Sequence, residues 1–415
     1  MSWSLGCVAA GKNCGIAALS LVARNDTGIK MRGVSVIGIG CTPFGQQNGV
    51  SITDLALQAC REALSDAQIP TSLVQAFYLG NFVSEALVHQ GALAPIVAHR
   101  LGLRPIPCTK VEGACASSGI AFRHGVLLIA SGVCDIVLVA GVEKMTSAGT
   151  GAVTEALASA GDADSEMRLG LTFPGTFGII MRRHMHQHGT TREQVAMVSV
   201  KNRQSGSANP KAHFQKPVAL GEVLESRLIC DPLRLYDCTP ISDGAAAAVL
   251  CAADPATEYA DQPIDIIGSG HAMGPATLFE MADLTTFEAS VAAAQQAYRE
   301  AGLTPRDIDV AEVHDCFTIA EITAIEDLGF VEKGKGGPAV ADGLTALDGM
   351  LPVNPSGGLL SKGHPVGATG LAQIYEIVGQ LRGEAINQVK GAHIGLAHNL
   401  GGTGAVSTVH ILKRR

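Results

Sequence analysis

Aromatic residues make up only 4% of this 415-residue chain, with a single tryptophan. No basic cluster occurs beyond the terminal Lys413-Arg414-Arg415, and the formal net charge is −8. Nucleic acid is therefore not an expected partner, because phosphate backbones are bound by clustered positive charge. No apolar run approaches the roughly 18 residues that a membrane-spanning helix needs. The eleven cysteines are scattered and contain no CxxC pair, so neither a zinc ribbon nor a disulfide framework is indicated. Such usage fits a reduced, cytoplasmic protein. "GIAALSLVA" (15–23) has the length of a signal-peptide core, but Lys12 interrupts its approach and no basic segment leads into it. Met31 opens "MRGVSVIGIG", which reads as a first strand, and residues 1–30 are expected to be a poorly ordered extension.

What the chain does have is small and apolar: 49 glycines and a 47% hydrophobic content, as in an enzyme with tight loops and small-residue packing. Strand-like runs alternate with helical patterns: "VSVIGIG" (34–40), a helix near 52–68, "VQAFYLGNF" (74–82), a helix near 115–132 and "DIVLVAG" (135–141). That rhythm, with nearly continuous apolar strands, predicts an α/β fold with a mostly parallel sheet covered on both faces. From about 150 to 234 the rhythm fails in a segment rich in Gly, His, Arg and Gln, expected to be a loop-heavy insertion with short helices, before "SDGAAAAVLCAA" (242–253) restores it. The second half repeats the order of the first. "EALSDAQIPTSLVQAFYLGNF" (62–82) parallels "QQAYREAGLTPRDIDVAEVHDCF" (295–317), each running helix, Pro-containing link, strand. A duplication would stack two half-sheets and turn their strand ends toward one cleft.

Three stretches carry groups able to do chemistry. In "VEGACASSG" (111–119), Cys115 sits among small residues at an expected helix start. It is either a buried structural cysteine or a nucleophile whose thiolate the helix terminus favours. In "NPSGGLLSKGHPVGATG" (354–370), His364 precedes a helix entrance, as a base for a thiol or as an incidental residue of a glycine loop. "AEVHDCFTIAE" (311–321) places His314, Asp315 and Cys316 between a strand and a helix. "GLAHNLGGTGA" (395–405) ends a strand in a glycine turn, where backbone N–H groups near Gly401 suit an oxyanion hole. "HMHQH" (184–188) offers only His184 and His188 on one helical face and is not read as a metal site. "GIGCTPFG" (38–45) lacks the full dinucleotide fingerprint and reads as a strand-end turn.

"CAS", "HDCF", "GHP" and "HNLGG" occur in this order in the chain. The conjunction resembles thiolases, and within them the SCP2-thiolase or thiolase-like lipid-transfer subgroup, over about residues 32–412. The resemblance implies duplicated βαβαβαββ halves in a layered α-β-α-β-α sandwich with a loop domain inserted in the first half. The implied division is 31–150 with 235–270, 151–234, and 271–415. It also implies a Claisen condensation, or thiolysis of a 3-ketoacyl-CoA, through an acyl group on Cys115. His364 would be the base, His314 would help hold the thioester oxygen with the backbone of Cys115 and Gly401, and Cys316 would be the second acid/base. The terminal "CxG" cysteine of other thiolases is missing here, and the HDCF cysteine takes its duty in the SCP2-like subgroup. Asp315 is assigned only the orientation of its turn. Lys201, Arg203, Lys211 and Ser361 are the implied coenzyme A contacts. Coenzyme A enters as substrate, with no permanently bound cofactor or metal. The implied partners are further copies, as homodimer or homotetramer, and a small zinc- and OB-fold protein. Two alternatives stay open: acyl transfer to a non-CoA carbon nucleophile, and a non-catalytic thiolase-like subunit.

Overall fold

The computed structural model describes residues 31–415, so the N-terminal extension and its signal-like run lie outside the described residues. Eleven strands follow in chain order: β1 (Val34–Cys41), β2 (Ala76–Gly80), β3 (Cys108–Val111), β4 (Ile136–Glu143), β5 (Leu228–Cys230), β6 (Leu233–Arg234), β7 (Gly244–Ala252), β8 (Ile264–Met273), β9 (Val310–Glu312), β10 (Ile394–Gly401) and β11 (Val406–Arg414). Nine form one sheet in the order β3-β2-β4-β7-β1-β8-β11-β10-β9.

The duplication is written in this order. In the first half β2 is parallel to β4, β4 antiparallel to β7, and β7 antiparallel to β1. In the second half β9 is parallel to β10, β10 antiparallel to β11, and β11 antiparallel to β8. Thus β2-β4-β7-β1 maps onto β9-β10-β11-β8, with β3 added parallel to β2. A short antiparallel ladder from Val34–Val36 to Ile264–Ile266 joins the halves. Most ladders are therefore antiparallel, which corrects the expectation of a mostly parallel sheet. The strands are apolar throughout because helices cover both faces, whatever the strand direction. On β4, Val137 and Val139 enter the core between the half-sheets. Ile136, Leu138, Ala140 and Val142 enter the outer one.

Glycines allow each outer helix to close on its strand. A Cβ on Gly38 or Gly40 would fall 2.2 Å from the carbonyl oxygens of Ala63 and Ala59 in the helix Ile52–Asp66. On Gly268 and Gly270 it would meet those of Ala297 and Ala293, in the helix Glu288–Ala301, at 2.4 and 1.8 Å. The GxG of "GIGC" thus lies inside β1 and brings a helix close, and is not a strand-end turn.

Two central helices, Ser117–Ala130 and Thr369–Arg382, pack on each other between the half-sheets. Each is entered through a single 3-10 turn, Ala114–Ala116 and Val366–Ala368. Cys115 and His364 therefore stand at equivalent ends of equivalent helices. The segment expected as a loop-heavy insertion is largely helical, with helices Phe173–His188 and Arg192–Gly206. Its local signals are caps, Thr172 bonding the Gly175 N–H and the Thr191/Gln194 box, while its polar composition belongs to solvent-facing turns. The division expected at 270/271 falls inside β8, the counterpart of β1. No helix among the described residues is long and apolar enough to cross a membrane.

Candidate active site

The turn that carries Cys115 is held in an unusual conformation. Ala114 has φ +50°, a left-handed value for a residue with a Cβ, which costs on the order of 1–3 kcal/mol. Its N–H donates to Glu112 Oε1 at 2.6 Å, and Ser117 Oγ accepts from the Gly113 N–H at 3.1 Å while donating to the Ala114 carbonyl at 2.6 Å. These bonds fix the sulfur at the mouth of the central layer. The sequence leads one to expect a helix terminus that lowers the thiol pKa. Instead it is pushed up to about 12, by burial first and then by the Glu143 charge, with the Gly402 N–H only partly offsetting them. The resting thiol is neutral and needs a base.

Cys115 Sγ and one ring nitrogen each of His314 and His364 lie within 4.8 Å of one another. The two imidazoles meet edge to face, ring centroids 5.0 Å apart. Their second nitrogens define their tautomers. Thr369 Oγ1 donates to the Pro365 carbonyl at 3.1 Å, so it accepts from His364 Nδ1–H at 2.7 Å, and Nε2 keeps its lone pair. Burial pushes the His364 pKa down to about 3, so this nitrogen is an unprotonated acceptor at neutral pH. His314 is the reverse. Asn399 Nδ2 donates to its Nδ1 at 3.1 Å, which puts the proton on Nε2 and makes it a donor. Its pKa is also held well below the usual range by burial and by the nearby His364 and His398. His398 accepts the His314 backbone N–H at 3.4 Å and bonds Ser290 at 2.9 Å, fixing the turn from the other face of β10.

Cys316 is buried beside this cluster, its pKa raised by burial and next by the charge of Cys115. It faces the core that contains Phe317, and Phe317 lines a cavity of about 200 Å³ together with His364, Val366, Cys238 and Thr239. Asp315 points away from the chemistry. Its carboxylate accepts from the N–H groups of Leu359 and Leu360 at 2.7 and 3.2 Å and from Asn202 at 2.8 Å, tying the His314 turn to the short helix Gly358–Lys362 that leads to His364. Gly358 lies so close that a Cβ would fall 2.3 Å from Asp315 Oδ2. Burial raises the Asp315 pKa, with the Glu321 charge adding to it.

The expected coenzyme A contacts fare differently. Lys201 pairs with buried Glu321 at 3.1 Å and donates to the Val353 carbonyl at 2.6 Å. Lys211 is held by Glu62 at 3.1 Å and by the Cys41 carbonyl. Ser361 is buried and donates to the Phe214 carbonyl at 2.8 Å. All three are occupied within the fold, where their partners lie far off in sequence. Arg203 alone has no ion pair among the described residues; its guanidinium stacks 3.9 Å from the Phe214 ring centroid. The backbone N–H groups of Gly402, next to Gly401, and of Cys115 itself bear on the Cys115 sulfur, and a Cβ on Gly401 would fall 2.4 Å from the Gly113 carbonyl oxygen. Asn399, Thr369, His398 and Glu143 were not singled out from the sequence, though the first three stand within or beside the quoted "HNLGG" and "GHP" stretches. Glu143 accepts from the N–H groups of Phe82, Val83 and Gly367 and from Asn81, which anchors the loop after β2 beside Cys115. His184 is no metal ligand here; it is buried between Thr190 and Glu326.

A thiol, a neutral acceptor and an N–H donor brought together, with the acceptor lining an adjoining cavity, are the parts needed to move an acyl group through a thioester. The family model "Thiolase, N-terminal domain" matches residues 34–254 and "Thiolase C-terminal domain-like" matches residues 270–414. The chain belongs to the thiolase family, whose reaction type is acyl-CoA C-acyl transfer. It is 50% identical over 385 residues to an acetyl-CoA acetyltransferase of Methanothermobacter thermautotrophicus, covering 92% of this chain and 100% of that one. It is 38% identical over 392 residues to human sterol carrier protein 2, covering 91% of this chain and 71% of that protein. Among solved structures, one described as an Ltp2-ChsH2(DUF35) aldolase superposes with a TM-score of 0.80 at 28% identity, covering 92% of this chain and 98% of that one. Human mitochondrial 3-ketoacyl-CoA thiolase in complex with CoA has a TM-score of 0.70 at 18% identity, covering 92% and 98%, a likeness of fold.

Proposed function

We propose that this chain is an acetyl-CoA C-acetyltransferase in which Cys115 carries the acetyl group. His364 Nε2 takes the thiol proton as sulfur attacks the thioester carbonyl, and passes it to the departing CoA thiolate. His314 Nε2–H and the Gly402 N–H donate toward the oxygen that gains charge. His364, neutral again, takes the S–H proton of Cys316, whose thiolate removes the α-proton of a second acetyl-CoA. The resulting carbon attacks the acetyl-Cys115 carbonyl, and the released Cys115 thiolate recovers the proton from His364; thiolysis runs the same steps backward. The single observation that carries this reading is the approach of Cys115, His314 and His364 to within 4.8 Å, with opposite tautomers on the two histidines. A positioned acid/base supplies about 10²–10⁴-fold and one oxyanion donor about 10²–10³-fold, so the residues named account for a large acceleration. Arg203 is the one candidate for a coenzyme A phosphate that the fold leaves uncommitted.

The reading extends to a reduced, cytoplasmic setting, supported by nine free cysteines among the described residues. It also includes assembly with further copies and with a small partner protein. The partner has support in the 28%-identical relative, whose description names a DUF35 component. The deciding experiment mixes enzyme with acetyl-CoA and reads intact mass. An acetyl adduct is expected on the parent protein and none on Cys115→Ala. A parent that stays unmodified, or an adduct that survives the substitution, overturns the assignment.

A further inference from the structure

The same three side chains meet a second requirement. One Cys sulfur and two His nitrogens, all buried, lie within 4.8 Å of one another. We propose that this trio also binds a soft divalent cation, Zn²⁺ foremost, which occupies the site reversibly and silences the nucleophile. Zn–S bonds of about 2.3 Å and Zn–N bonds of about 2.0–2.1 Å place tetrahedral donors roughly 3.3–3.6 Å apart. The trio therefore needs to close by little more than about an ångström, within the reach of side-chain rotation. An S/N/N set favours zinc over magnesium or calcium, which take oxygen donors. Three protein donors leave a fourth position for water, and one of the three, His364, lines the neighbouring cavity.

The groups behind the donors fit a metal as well. A ligating histidine donates its other ring N–H to a fixed acceptor, and His364 Nδ1–H already has Thr369 Oγ1 at 2.7 Å. His314 needs its proton on Nδ1 to ligate through Nε2, and so needs an acceptor there. Asn399 Oδ1 is buried with no hydrogen-bond partner, on the same amide whose nitrogen now faces His314. Turning that amide over supplies the acceptor and satisfies the oxygen. The orphaned atom thus gives His314 two settings, a donor for catalysis and a ligand for a cation. On binding, the Cys115 S–H bond breaks, its proton leaves to solvent and the sulfur lone pair forms the S–Zn bond; no atom changes oxidation state. The inference stands on donor geometry, so absence of an acetyl adduct would leave it intact.

The test follows alkylation of Cys115 by iodoacetamide in the full-length protein, read by peptide mass. Micromolar Zn²⁺ is expected to slow it at least about tenfold, EDTA to restore it, and millimolar Mg²⁺ to leave it unchanged. His314→Ala should weaken Zn²⁺ protection by about tenfold or more, and Thr369→Val, which removes the acceptor behind His364 together with the bond to the Pro365 carbonyl, by about 10–100-fold. Co²⁺ as a spectroscopic probe should show a thiolate-to-metal charge-transfer band that disappears in Cys115→Ser. Equal protection by Mg²⁺, undiminished protection in both variants, or a cobalt band that survives Cys115→Ser overturns the proposal.

Discussion

The Thr369 hydroxyl touches no substrate, yet replacing it by valine should cripple acyl-enzyme formation. Thr369 is buried, and its oxygen is the partner of His364 Nδ1–H at 2.7 Å. Valine keeps the shape and removes the acceptor. An unpartnered buried N–H costs about 1–3 kcal/mol, and that penalty falls only on the tautomer that leaves Nε2 free to accept a proton. The other tautomer puts hydrogen on Nε2 and cannot deprotonate Cys115. The productive fraction should drop about 5–150-fold, at about 1.4 kcal/mol per tenfold, and the rate of acetylation with it. The assay is single-turnover acetylation, quenched and read by intact mass, with thermal stability measured alongside. Thr369→Ser restores the oxygen and should return most of the rate. A valine variant that acetylates at the parental rate, or a serine variant as slow as valine, refutes the tautomer reasoning.

Cys316→Ala should leave acetyl-Cys115 formation detectable while condensation falls by about 10²–10⁴-fold; equal loss of acetylation in Cys115→Ala and Cys316→Ala would remove the role given to Cys316. Lys201→Met should strand Glu321 without its cation and lower stability by about 3–5 kcal/mol, with KM for acetyl-CoA near the parental value. A raised KM at unchanged melting temperature would instead return Lys201 to the coenzyme. Burial outweighs four hydrogen-bond donors and raises the Glu143 pKa from 4.5 to about 7. The folded state therefore keeps a proton that the unfolded chain sheds in that window. The resulting stability is complete below pH 4.5 and is lost as pH rises to about 7, an effect of about 3 kcal/mol at ~1.4 kcal/mol per pH unit. Glu143→Gln should flatten the decline of melting temperature across this window, and an equally steep decline in the variant would contradict it.

Strand and helix positions were legible because small apolar runs such as "AAAAVL" on β7 bury both faces, and because the helices 52–66 and 117–130 begin and end within two residues of where periodicity and small-residue turns place them. Strand direction was not legible. Apolarity on both faces reports cover by helices, and β7 and β11 each run antiparallel to their neighbours β4 and β10 under the same cover. The helices at Phe173–His188 and Arg192–Gly206 were hidden by polar composition, although Thr172 and Thr191 announced their starts. Cys115, His314 and His364 stood out by residue type and local setting. Lys201 and Lys211 stood out equally, since a charge in sequence carries no trace of a carboxylate that folding will bring to it. Thr369 and Asn399 escaped notice because their part is to choose which nitrogen carries a proton, and that choice exists only once the rings are placed.

The pseudo-twofold relation between β2-β4-β7-β1 and β9-β10-β11-β8 reaches into the chemistry. Two identical copies of such a half, merely associated, would present each other with the same turn twice: sulfur opposite sulfur, or imidazole opposite imidazole. Proton transfer needs unlike neighbours. Covalent linkage into one polypeptide lets each copy vary its own turn, so that the giver and the taker of the hydrogen occupy mirrored seats in a scaffold that is otherwise nearly alike on both sides.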